Sequence, residues 1–283
     1  MLQILLDIFN YFVRVGTATF LQLVFLLGPL LLLAFIMHLV AQKTEKLGYA
    51  VLGHNLYIYG FAWLGTIVHE LGHAVTAIAF GHKIVDMELF TPNSPNGTLG
   101  HVNHSFNKKS IYQRIGNFFI GIGPIFSGSL VLYLASWLLF GFSFSLLNEP
   151  EISSDHTLSF HSFWTSTINV FSNVSIYVKT IFTGEETQIW KIILFIYLLF
   201  SVGTSVTLSK ADVKSSLNGF IYFVFVLLLF NILTLWIGDF TENVFKKVGG
   251  FFSGFYFFLI LSILINIVFI ILLSFLPKQK AKK

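Results

Sequence analysis

The chain has 283 residues, 55% of them hydrophobic and 11% charged, with a formal net charge of +4 and a mean hydropathy of +0.79. A soluble domain carries about 25% charged residues, so the composition excludes an ordinary soluble fold and indicates an all-α polytopic membrane protein. The absence of cysteine removes disulfides, thiolate metal sites and cysteine nucleophiles, and the scattered basic residues suit membrane topology rather than nucleic-acid binding.

In chain order, residues 1–17 read as an interfacial amphipathic helix. Asp7, Asn10 and Arg14 share a helical stripe, and no small-residue cleavage site follows. A span needs about 20 apolar residues, and about six windows qualify: 18–41, 57–80, 116–142, 189–208, 217–238 and 251–276. The first span and an outer loop fill 18–56. Residues 57–215 hold spans two to four, with a small β-hairpin at 82–105 and a long loop at 143–188. In the hairpin, 84–90 alternates roughly, Asn96-Gly97 is a turn signal and 99–102 supplies a return strand. The segment 216–283 carries spans five and six and a basic tail.

Orientation follows from the basic residues. With six spans and the tail (Lys278, Lys280, Lys282, Lys283) in the cytoplasm, both termini are expected inside. Lys83, Lys108, Lys109 and Arg114 then share that side, and Glu149, Glu151, Asp155, Glu185 and Glu186 of the 143–188 loop face outward. His73 lies seven residues before Phe80 at the end of its span, about 10 Å below the cytoplasmic boundary. The compact chain is expected in a bacterial plasma membrane.

The second span contains His69-Glu70-Leu71-Gly72-His73, an H-E-x-x-H motif. Residues four apart share a helix face, so both imidazoles reach one zinc ion, with Glu70 on the adjoining arc as general base. Ionisable groups in a membrane helix are costly unless they act; the competing explanation is a polar cluster that joins helices. A catalytic zinc usually takes three protein ligands. Asp212 is the candidate third, because it follows the fourth span on the side of the motif. A straight helix from Ile189 would carry it below the histidines, so a break at Gly203-Thr204-Ser205 is expected to let the chain fold back. The other reading of Asp212 is a helix-end charge paired with Lys210 or Lys214. His82, His101 and His104 are reserve ligands.

These features resemble the site-2 protease family of intramembrane zinc metalloproteases. The resemblance covers residues about 57–215 and rests on HELGH in the second span, Gly123-Pro124 in the third and Asp212 after the fourth. It implies that His69, His73 and Asp212 bind Zn2+, that Glu70 is catalytic, and that a strand beside the metal holds extended substrate. Two departures mark a divergent member. The family's Leu-Asp-Gly is Ala211-Asp212-Val213 here, and the Asn of its Gly-Pro-x-x-Asn is Ser127. Pro124 and its neighbouring glycines serve either close packing or the lining of the site. The implied activity is cleavage of a membrane protein or membrane-bound peptide within the bilayer. The alternative is a non-proteolytic zinc-binding membrane protein or a pseudo-protease partner. A transporter is disfavoured, since His38 is the main further ionisable group within the spans.

Overall fold

The computed structural model describes residues 1–94, 97–142, 168, 172–181, 188–237 and 240–278. Helix α1 (Leu2–Leu52) is followed by α2 (His54–Tyr57), a π-helical turn (Ile58–Ala62) and the motif helix α3 (Trp63–Ala79). Strands β1 (Lys83–Glu88) and β2 (His101–Ser105) precede α4 (Ile111–Phe140), and α5 (Ile189–Ser205), α6 (Lys210–Thr234) and α7 (Phe240–Ser274) complete the order. The chain is all-α and polytopic apart from the two-stranded sheet. Leu2–Leu52, Gly123–Phe140, Lys210–Thr234 and Gly254–Ser274 are long and apolar enough to cross a membrane. Helix α5 is apolar but shorter.

Local chemistry sets the helix limits that matter. Ser110 caps α4 by accepting from the Gln113 amide, and Gly141, at φ 67°, ends it in the left-handed region. Helix α6 starts at a capping box: Ser209 Oγ accepts from the Asp212 amide at 3.1 Å, and Asp212 Oδ2 accepts from the Ser209 amide at 2.7 Å. The antiparallel sheet pairs Lys83 with Ser105 and Glu88 with His101, with an irregularity between Ile84 and Asp86. The return strand therefore starts two residues later than expected. Asn96 lies outside the described residues, as does most of the 143–188 loop.

Contacts along the helices fix their directions. Helix α4 runs antiparallel to α3, since Ser127 bonds Val68 and Ile120 bonds His73. Helix α5 runs parallel to α3: Tyr197 donates to the Gly60 carbonyl, Ser201 to that of Phe61, and the Ser205 carbonyl meets His69. Helix α6 continues in the same direction, with Asp212 beside Gly121, Ser216 bonded to Phe118, and Tyr222 against Arg114. The expected fourth and fifth spans are thus two halves of one broken path, and the chain does not fold back after Ser205.

One further expectation is corrected. Residues 1–17 and the first span form one uninterrupted helix of 51 residues. Tyr11 at its N-terminal end reaches the Ile232 carbonyl, at the end of α6. Helix α7 runs parallel to α1: Tyr256 bonds the Leu26 carbonyl, while Ile263 packs with Met37 and Ala41. Phe269 then stacks on Phe200 beside Phe61. The first residues of α1 and the last residues of α7 consequently lie at opposite ends of the bundle.

One apolar core gathers Leu132, Phe195, Leu199, Val202, Phe257 and Phe258 from α4, α5 and α7. A second joins Leu27 and Leu30 of α1 to Phe118, Ile122 and Ile125 of α4. In a lipid environment such packing gains little from hydrophobicity alone, so close fit and interhelical hydrogen bonds matter more. Asn231 supplies one such set, bonding Thr19 and Gln22 across α1 and α6.

Candidate metal centre

The centre forms where α3, α4, α5 and α6 meet. His69 and His73 share one face of α3, with their Nε2 atoms 3.2 Å apart. Asp212, in the first turn of α6, brings Oδ1 to 3.2 Å from His73 Nε2 and Oδ2 to 3.9 Å from His69 Nε2. The depth problem posed by the sequence disappears. Helix α5 has advanced only to the level of His69 when it ends, and a short link plus one helical turn places Asp212 beside His73. No ion pair joins Asp212 to Lys210 or Lys214 among the described residues.

Each imidazole is oriented by a carbonyl that its own helix does not use. His73 Nδ1 lies 2.8 Å from the Ile120 oxygen. In a regular helix that oxygen would accept from residue 124, but residue 124 is proline and has no N–H. Pro124 thereby frees the acceptor that fixes His73. His69 Nδ1 lies 2.6 Å from the oxygen of Ser205, the last residue of α5, which the helix itself no longer uses and which also accepts from the Thr207 amide at 2.7 Å. Donation from both Nδ1 atoms leaves both Nε2 lone pairs pointing inward.

Close helix approach makes this possible. A Cβ at Gly123 would sit 2.7 Å from the Gly72 oxygen, so α3 and α4 touch backbone to backbone. Gly72 opens its flank to α4. On the other side of α4, a Cβ at Gly121 would lie 2.6 Å from the Asp212 oxygen. Ser127 donates to the Val68 oxygen at 2.9 Å and to that of Pro124 at 3.2 Å. It ties α3 to α4 and points no donor at the centre.

Glu70 is 8% exposed and lies on the arc that faces the hairpin. A Cβ at Gly100 would fall 2.8 Å from Glu70 Cγ. The reserve histidines stay apart from the triad. His82 Nε2 donates to the Gln113 oxygen at 2.7 Å while its Nδ1 meets His104 Nδ1 at 3.0 Å. Burial holds both below the usual imidazole range. His101 Nε2 lies 2.7 Å from Asp86 Oδ2.

The donor set fits a metal. Two lone pairs and a carboxylate converge without a proton donor among them, an arrangement that a cation resolves. Tetrahedral zinc with bonds of about 2.0–2.1 Å separates adjacent ligand atoms by about 3.3 Å, close to the two 3.2 Å separations observed. Among the described residues, His69, His73 and Asp212 are the group of three that could hold an ion.

Sequence reasoning missed the carbonyls of Ile120 and Ser205. The first had a visible signal, since a proline within a helix frees the oxygen four residues earlier. Ser209-x-x-Asp212 likewise marks a helix start and would have placed Asp212 in a first turn.

Fold and site together define a polytopic membrane protein with a metal-ready triad and a carboxylate beside it. The Peptidase M50B-like family profile matches residues 46–136. That match supports membership of the site-2 protease family and, at the family level, an intramembrane metalloprotease. It contains His69, Glu70, His73 and Gly123-Pro124 and ends before Asp212. No curated protein and no solved structure matches the chain.

Proposed function

We propose that the chain is an intramembrane zinc endopeptidase that hydrolyses a peptide bond within or next to a transmembrane segment of a membrane protein. The observation that carries this reading is the convergence of His69 Nε2, His73 Nε2 and the Asp212 carboxylate, with Glu70 on the neighbouring arc. His69, His73 and Asp212 hold the ion. Zinc, when bound, supplies Lewis-acid activation of water and polarises the scissile carbonyl.

Glu70 accepts the proton of the attacking water and passes it to the leaving amine nitrogen. Ile120 and Ser205 keep the two imidazoles in the tautomer that offers Nε2 inward. The covering strand shields Glu70 from bulk water. A substrate helix hides its peptide bonds in its own hydrogen bonds, so the bond to be cut is presented unwound and extended.

The purified chain should carry about one zinc per molecule. Glu70→Gln should retain that metal and lower cleavage of single-span reporter peptides by about 10²–10⁴-fold. A folded preparation that repeatedly lacks zinc would defeat the reading, as would full activity in Glu70→Gln.

A further inference from the structure

Strand β2 opens at His101, directly after Gly100, whose backbone lies against Glu70. His101 pairs with Glu88 and Asn103 with Asp86, so His101, Glu88 and Asp86 share one face of the sheet. Across that face His101 Nε2 contacts Asp86 Oδ2 at 2.7 Å. Asp86 thus holds one ring nitrogen of the partly exposed His101, one residue along the strand from the Gly100 backbone that meets Glu70.

A peptide carbonyl under attack develops negative charge, and removing one donor to such an oxyanion typically costs about 10²–10³-fold in rate. The usual residues of this centre have no donor left for it. Ser127 is committed to the Val68 and Pro124 oxygens. The Nδ1–H groups of His69 and His73 are committed to Ser205 and Ile120. The hairpin supplies what the helices lack. With Nε2–H directed at Asp86, His101 retains Nδ1, which makes no hydrogen bond among the described residues.

We propose that His101, oriented by Asp86, is a catalytic residue that donates a hydrogen bond from Nδ1 to the oxyanion formed on the scissile carbonyl. This rests on the metalloprotease reading above. Asp86 is a positioning residue. No covalent bond to His101 forms or breaks, and Glu70 alone carries the proton from the attacking water to the leaving amine. Donation from Nδ1 while Nε2–H faces Asp86 requires the imidazolium. The hydrogen bond to Asp86 first, then the charges of Asp86, Glu88 and Glu70, hold His101 above its usual range. The donor is therefore present at low pH and lost as pH rises through the pKa of His101.

Two probes separate this role from metal binding and from folding. An N-phosphoryl dipeptide presents a tetrahedral anion, whereas a mercaptoacyl dipeptide binds zinc through sulfur and presents none. Titration of each into the zinc-loaded full chain in detergent should show phosphoryl affinity about 100-fold lower in His101→Ala, with thiol affinity and zinc content unchanged. Asp86→Asn should move the loss of phosphoryl binding to lower pH. Unaltered phosphoryl affinity in His101→Ala overturns the proposal, and so does an equal loss of both probes. Loss of zinc would make His101 a ligand and overturn it too. Wild-type protein that carries zinc but binds neither probe would defeat the metalloprotease reading itself.

Discussion

Asp212 does two things with one carboxylate. Oδ2 accepts the Ser209 amide and starts α6, while Oδ1 faces His73. The two roles come apart by substitution. Asp212→Asn keeps an acceptor for the cap but removes the charge, so zinc retention against a chelator should fall at least about 10-fold while the helix start persists. Ser209→Ala removes the cap alone and should lower the stability of the metal-free protein by about 1 kcal/mol, read from its denaturation midpoint. Asp212→Ala should combine both losses. If Asp212→Asn held zinc as tightly as the natural chain, Asp212 would not be a ligand.

At the scale of elements, the metal centre depends on helices that are broken or perturbed where a partner needs a free carbonyl. Pro124→Ala tests this. The new amide would compete with His73 for the Ile120 oxygen, and loss of such a supporting bond typically costs about 10–100-fold in metal affinity. Helix propensity favours alanine over proline by about 3 kcal/mol, so α4 itself should not weaken. Lower zinc affinity in an equally or more stable protein is the expected combination; unchanged affinity would show that the Ile120 carbonyl does not position His73.

The motif and hairpin were legible in the sequence for physical reasons. Residues 69 and 73 are one helical turn apart, and alternation with a turn signal marks paired strands. The break near Gly203-Thr204-Ser205 was legible as well. Its consequence was not, because hydropathy marks apolar stretches without giving their direction. Helix α5 has 17 residues, about 25 Å at 1.5 Å per residue, short of the roughly 30 Å hydrocarbon core. Reading it as a complete crossing forced α6 to turn back.

At the scale of the whole molecule, that reversal decides which ends meet. Arg114 meets Tyr222 midway along α6, and the end of α6 meets the first turns of α1 where Tyr11 reaches Ile232, so Lys108 and the start of α1 lie toward the same end of the bundle, past the metal centre. The last turns of α7 lie at the other end, beyond the stack of Phe269 on Phe200. Basic residues do not choose between arrangements on their own, since Lys43, Lys46 and Lys278 lie at one end and Arg14, Lys83, Lys108 and Lys109 at the other. A cysteine-free chain makes the question direct. Single substitutions Asp7→Cys, Lys108→Cys and Lys278→Cys, labelled in sealed vesicles with a membrane-impermeant maleimide, should divide into two classes. Positions 7 and 108 should react from the same side, and position 278 from the opposite one. Labelling of all three from one side would restore an even number of crossings, and with it the antiparallel pairing of α5 and α6. That pairing would carry α6 away from α4, separating Asp212 from His73, so the topology experiment bears directly on whether the metal centre can close.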